Sequence, residues 1–191
     1  MRFDLHGSIS TPVADAPPGA LVRLTRGGVP FVGIAAIDPS SGTRFLVDLG
    51  PGEGRAPAML TLGSLGEEWC LATRDACVDP DLSDVSVVPG AVLTDVRSGE
   101  LAIHGAQLLL AFRVSRTMGR GHLDLATGEL VSCDPTARLV RVTRWKLLPS
   151  RPRDGFAPPR PVYAHPAHRT YYPDSVRDAS RADLVAVGRA S

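Results

Sequence analysis

Lysine is almost missing from this chain of 191 residues: Lys146 stands alone, and the other basic side chains, of 21 in all, are arginines. The arginines are scattered and face 20 acidic residues, which leaves a formal charge of +1. Such a balance provides no strong field to draw in nucleic acid or an anionic membrane surface, so neither is expected as a partner. Cysteine is scarce too. The three cysteines, an odd number at positions 70, 77 and 133, make a poor disulfide framework and suit a reducing compartment. Cys70 and Cys77 could meet across a hairpin, but buried thiols are the plainer expectation. The opening "MRFDLHGSIS" has no apolar stretch long enough for a signal-peptide core, and no run approaches a membrane span. A cytoplasmic location is therefore expected.

The usual signatures of chemistry are missing as well. "GPGEGR" (50–55) is followed by "APAM" rather than by a helix, which argues against a phosphate cradle. "DPDLSD" (79–84) starts like a calcium loop, but Asp84 stands where the turn needs glycine. There is no nucleophile elbow and no paired-cysteine zinc spacing. "HPAH" (165–168) could place two imidazoles on one metal, yet no third ligand is local. No cofactor and no metal are expected.

What the sequence does have is short apolar and β-branched runs between glycine, proline and aspartate clusters, the pattern of an all-β protein. "ALVRLTR", "VPFVGIAAI" and "TRFLVDLG" come first; "AVLTDV", "ELAIHGAQLLLAFRVSR", "GHLDLAT", "ELVSC" and "ARLVRVTRWKLL" follow later with short polar links, as in an antiparallel meander. Along "QLLLAFRVS", Leu108, Leu110, Phe112 and Val114 share one apolar face while the other face is mixed. Strands of this kind suit a β-barrel or sandwich with some polar lining.

"DVRSGEL" (95–101) and "DLATGEL" (124–130) echo each other. Each carries Ser-Gly or Thr-Gly where a tight turn needs a left-handed residue, and Glu-Leu then opens the next run. The spacing is short and the agreement slight, so the expectation is two hairpins on one edge of the meander rather than a duplicated unit.

Composition changes at residue 149. The stretch 149–174 holds all three tyrosines and seven of the 17 prolines, which argues against regular strand or helix. The division expected is a barrel-like domain over 1–148 and an extended Pro/aromatic arm over 149–191, packed on the domain or on a neighbouring subunit. "SRADLVAV" (180–187) would supply one short terminal helix.

Acid–base chemistry would fall to His104, His122, Asp124 and Tyr171 if neighbouring strands aim them at one cavity under an aromatic lid. Gln107, Phe112 and Trp145 of the barrel, with Tyr163, His165 and His168 of the arm, would contact the ligand. The expected function is binding of an apolar small molecule, with cofactor-free isomerase or cyclase chemistry as its enzymatic form and a homo-oligomer as its assembly. The alternative is a non-enzymatic interaction or structural subunit whose arm straps a neighbouring chain.

Overall fold

Alternating apolar positions resolve into fifteen strands and three short 3-10 turns among the residues that the computed structural model describes, 8–50, 56–74, 76–84, 86–114, 119–149 and 161–165. The first series is β1 (Ser8–Pro12), the turn η1 (Val13–Asp15), β2 (Leu21–Arg26), β3 (Val29–Ile37), β4 (Arg44–Asp48), β5 (Ala58–Thr61), the turn η2 (Gly63–Glu67), β6 (Trp69–Thr73) and β7 (Ala76–Pro80). The second is β8 (Val87–Val92), the turn η3 (Leu93–Asp95), β9 (Leu101–His104), β10 (Gln107–Arg113), β11 (Arg120–Asp124), β12 (Leu130–Val131), β13 (Arg138–Val142) and β14 (Trp145–Pro149), after which β15 (Tyr163–His165) is added. The chain is mostly β, and no helix among the described residues is long and apolar enough to cross a membrane.

The strands do not form a simple meander. Twelve belong to one sheet whose path is β1-β6-β2-β3-β4-β5-β10-β9-β13-β8, with β11 on the far side of β10 and β12 beyond it; β15-β14-β7 form a second sheet. In each series a late strand inserts between two early ones, β6 between β1 and β2, and β13 between β8 and β9. This corrects the expectation of two hairpins. "DLATGEL" closes the β11–β12 hairpin, but "DVRSGEL" passes from η3 into β9, and β8 and β9 are held apart by β13. The turn chemistry is nonetheless shared: Gly99 and Gly128 both have positive φ, 98° and 73°.

A true repeat exists, at a different spacing. "DAPPGAL" (15–21) matches "DVRSGEL" (95–101), and "RFLVD" (44–48) matches "RGHLD" (120–124). The ladders agree position by position: Leu21↔Ile34 and Ile34↔Val47 in the first series correspond to Leu101↔Leu110 and Leu110↔Leu123 in the second. Loop bonds follow suit. Gly19 N–H donates to Ala35 O at 2.8 Å and Leu49 N–H to Val32 O at 3.0 Å, while Gly99 N–H donates to Ala111 O at 2.7 Å and Leu125 N–H to Leu108 O at 3.0 Å. Arg44 Nη1 holds the carbonyls of Ala14 and Ala16, as Arg120 Nη1 holds those of Thr94 and Val96.

The halves meet symmetrically. Equivalent strands β7 and β14 pair antiparallel about Val78↔Leu147, with Ala76↔Pro149 and Pro80↔Trp145 at the two ends, as a two-fold axis requires. Two parallel one-pair contacts repeat the symmetry, Arg113↔Ala58 and Ile37↔Glu129. Between the halves lies a shared core in which Phe45 and Phe112 sit 6.0 Å apart, joined by Trp145, Leu147 and Tyr163. Each ring is matched by a small residue opposite it on the paired strand, Ala36 for Phe45 and Gly121 for Phe112. A Cβ at Gly121 would come within 2.5 Å of the Phe112 ring. Two further cores cover the outer faces: one around Val13, Ala35, Leu46 and Leu65, the other around Leu93, Val96, Leu109 and Ala111.

The described part of the arm corrects a second expectation, because Tyr163–His165 is a short strand on the edge of β14. Pro161 and Pro166 bound it in sequence. An edge strand of three residues satisfies its backbone on one side, so flanking prolines do not prevent it. Tyr163 packs on Trp145 of the same chain with ring centroids 5.1 Å apart. Tyr171, His168 and the segment 180–187 lie outside the described residues.

Candidate functional site: the opening in the second half

The two outer cores differ in what covers them. In the first half, β5 leads through Leu62 into η2, which packs against η1: Val13 N–H donates to Glu68 O at 2.9 Å, and Leu65 is buried among Val13, Leu46 and Leu62. In the second half the stretch from β12 to β13 is shorter and folds back on itself, with Asp134 Oδ1 accepting bonds from Thr136 N–H and Oγ1–H at 2.8 and 2.7 Å. That stretch has no counterpart of Leu65. The equivalent space is a cavity of about 740 Å³ between η3, β11 and β12, closed on one side by the Asp38 turn of the first half. This volume is of the size that holds a small ligand.

His122 forms part of its wall. In the paired register it stands beside Ala111 and Val131, where the first half has Leu46 beside Ala35 and Leu60. Leu46 is fully buried, whereas His122 is half-buried and its Nε2 is sealed from solvent with no hydrogen-bond partner among the described residues. Burial, and then the nearby Arg120 guanidinium, push the imidazole pKa below its ordinary value, so His122 is neutral at pH 7. A buried polar atom without a partner costs about 1–3 kcal/mol.

Asp38, Arg120 and Cys133 of the wall are each constrained by their surroundings. Asp38 Oδ1 accepts bonds from Ser40 N–H and Oγ–H at 2.9 and 2.7 Å, and its Oδ2 accepts the Ser41 hydroxyl at 2.9 Å, which hold the carboxyl below its ordinary pKa. Arg120 Nη1 is bonded at 2.8 Å to both carbonyls named above. The Cys133 thiol is pushed up by burial, which keeps it protonated rather than nucleophilic at neutral pH. Leu93, Val114, Leu130, Val131 and Pro135 make much of the remaining wall apolar.

The residues singled out in the sequence are dispersed by the fold. His104 and Gln107 pair at the exposed tip of the β9–β10 hairpin. Asp124 is buried and committed to its turn: its Oδ1 accepts Ala126 N–H at 2.8 Å and its Oδ2 accepts Gln107 Nε2–H at 3.2 Å. Asp48 does the same for Gly50 N–H at 2.7 Å in the first half, which marks the role as structural. Phe112 and Trp145 are in the shared core, and Trp145 Nε1–H donates to Gly99 O at 2.7 Å. Tyr163 is buried against that ring. His165 lies against Gly99, and burial lowers its pKa to about 4. Of the described candidates, His122 is the one in the cavity wall.

Sequence reasoning missed Asp38, Leu93, Thr94 and Arg120, which come from both halves. Of these, Arg120 belongs to a spaced pattern, Asp-x3-Gly-x-Leu followed by Arg-x3-Asp, that is present twice in the chain. Among the described residues no group of three or more His, Cys, Asp and Glu is placed to hold a metal ion. No protein-family model, curated protein or solved structure matches this chain, so the site stands on its own geometry.

Proposed function

We propose that the protein binds an apolar small molecule in the cavity of its second half. The observation that carries this reading is the difference between the halves: the space filled by Leu65 of η2 in the first half is open in the second, and the position of buried Leu46 is taken by His122. In this reading β3, β4, β5, β10, β11 and β12 form a small barrel, closed through the pairs Arg113↔Ala58 and Ile37↔Glu129. Its interior is the side-chain-filled core around Phe45 and Phe112, so the ligand sits on the outer face of β11 rather than inside the barrel.

Binding is supported better than turnover. Isomerase or cyclase chemistry would rest on His122 as the acid–base group, since Asp124 and His104 are not in the cavity wall. Native mass spectrometry of the protein purified without added ligand, beside a Cys133→Trp variant that fills the cavity, tests the reading. A reproducible bound mass of a few hundred daltons that disappears in the variant is the expected result. An identical bound mass in the filled variant, or bare protein that also fails to take up any member of an apolar small-molecule library, would overturn it.

A further inference from the structure

We infer that the outer edge of β7 is a docking edge for the chain's own segment Thr170-Tyr171-Tyr172-Pro173, which adds to the β15-β14-β7 sheet as the symmetry mate of β15. The two halves again differ in what covers equivalent places. β14 has a strand on each side, whereas β7 is paired with β14 alone among the described residues. Asp81 N–H donates to Arg144 O at 2.9 Å, so by the antiparallel alternation the amides of Cys77 and Asp79 face β14 and those of Ala76 and Val78 face outward. The two-fold through Val78↔Leu147 makes Ala76 and Val78 the equivalents of Trp145 and Leu147. Trp145 and Leu147 are 1% and 3% exposed, with β15 beside them. Ala76 and Val78 pack on the same core but are only partly buried, and Leu82, just past the end of β7, is 66% exposed. None of these residues lines the cavity of the second half, so the docking edge stands or falls apart from ligand binding.

What such an edge takes is visible on β14. Val162 N–H donates to Leu147 O at 2.7 Å, Tyr163 stands opposite Leu147, and Pro166 follows in sequence. Thr170-Tyr171-Tyr172-Pro173 has the same outline one residue shorter: a β-branched residue, a tyrosine, a spacer and a terminating proline. The reach agrees. β15 ends at His165, level with Trp145 and Pro80, and a strand antiparallel to β7 starts at that same end. Crossing from β15 to the far side of β7 covers three strand spacings, about 14–15 Å. The five steps from His165 to Thr170 span at most about 17–18 Å, so Thr170 arrives at the edge with little slack. Tyr171 then stands opposite Val78 and covers the apolar surface there, where Ala76 in place of Trp145 leaves room for its ring.

The test is hydrogen–deuterium exchange of the Val78 amide, followed by NMR at two protein concentrations in the native chain and two variants. One variant lacks Ala167 and His168, which cuts the span to about 10–11 Å, below the crossing distance; the other is Tyr171→Asp. Both changes lie outside the described fold, and the amides of Leu46 and Leu110 serve as references. Val78 should exchange about tenfold or more slowly in the native chain than in either variant, at a rate independent of concentration, with the references unchanged. Val78 protection that is the same in the native chain and either variant would overturn the assignment. Protection that grows with protein concentration would overturn it in favour of a second copy, and fast exchange in the native chain would show that the segment leaves the edge bare.

Discussion

Gly128 and Gly19 cross where the two halves touch, and alanine at position 128 should be among the most damaging substitutions of a turn residue in this fold. Gly128 has φ of 73°, and a Cβ there would lie 1.9 Å from Gly19 N and 2.5 Å from Pro18 C, all backbone. The left-handed conformation alone costs an alanine about 1–2 kcal/mol. The overlap cannot be relieved by a rotamer change, so the two chains must part. Parting them breaks Ile37 N–H to Gly128 O at 2.9 Å and strains Gly128 N–H to Asp124 O at 2.8 Å, at about 1 kcal/mol each. Gly128→Ala should therefore lose about 3–4 kcal/mol, the sum of the backbone and hydrogen-bond effects. Gly105→Ala is the control, because Gly105 also has positive φ, 60°, but a Cβ there meets nothing within 4 Å; it should lose only about 1–2 kcal/mol. Urea unfolding at constant m-value measures both. Equal losses at the two positions would refute the claim that the glycine pair is a contact between halves.

Three further outcomes follow from the same geometry. His165 is held to a pKa of about 4 in the folded protein against an ordinary 6.5, so the unfolded chain takes up a proton that the native state refuses. Its contribution is complete above about pH 6.5 and is lost as pH falls toward 4, by no more than about 1.4 kcal/mol per pH unit; urea midpoints at pH 7, 6 and 5 should show a shallower decline in His165→Phe, and an unchanged decline would count against the burial. Trp145→Phe removes the donor to Gly99 O and should cost about 1–3 kcal/mol by thermal or urea unfolding, with a native-like stability arguing that water takes over the bond. Glu100 and Arg141, whose charged atoms are 3.7 Å apart, occupy the places of Ala20 and Ala72 in the first half. The double variant Glu100→Ala/Arg141→Ala should be more stable than either single variant, since each single change leaves a partly buried charge behind, and simple additivity in a double-mutant cycle would show the pair is not coupled.

Local properties of the chain were legible without the structure. The left-handed glycines at 99 and 128 followed from Ser-Gly and Thr-Gly between apolar runs, because only the local backbone decides a tight turn. Of the apolar face expected over Leu108, Leu110, Phe112 and Val114, the first three turn to one core as the strand period requires, while Val114 is exposed beyond the strand end and lines the cavity. Pairing partners were not legible in the same way. That β13 lies between β8 and β9, and β6 between β1 and β2, is a matter of long-range contacts whose hydrogen bonds are made by backbone common to every residue.

The sequence by itself determined an all-β chain, its strand faces and the turns that need glycine, all properties carried within a few residues. It also contained the duplication, as Asp-x3-Gly-x-Leu and Arg-x3-Asp repeated at 15–48 and 95–124, under the stronger distraction of a nearer echo. Only the tertiary structure decided the site. His122 and Asp124 share a strand face in the sequence, yet one carboxylate is closed into its turn while the imidazole stands in an opening whose wall includes Asp38 from the other half. The reason is that a cavity is an absence of packing, set by what a distant segment such as η2 fills in one half and leaves open in the other, and no local pattern records it.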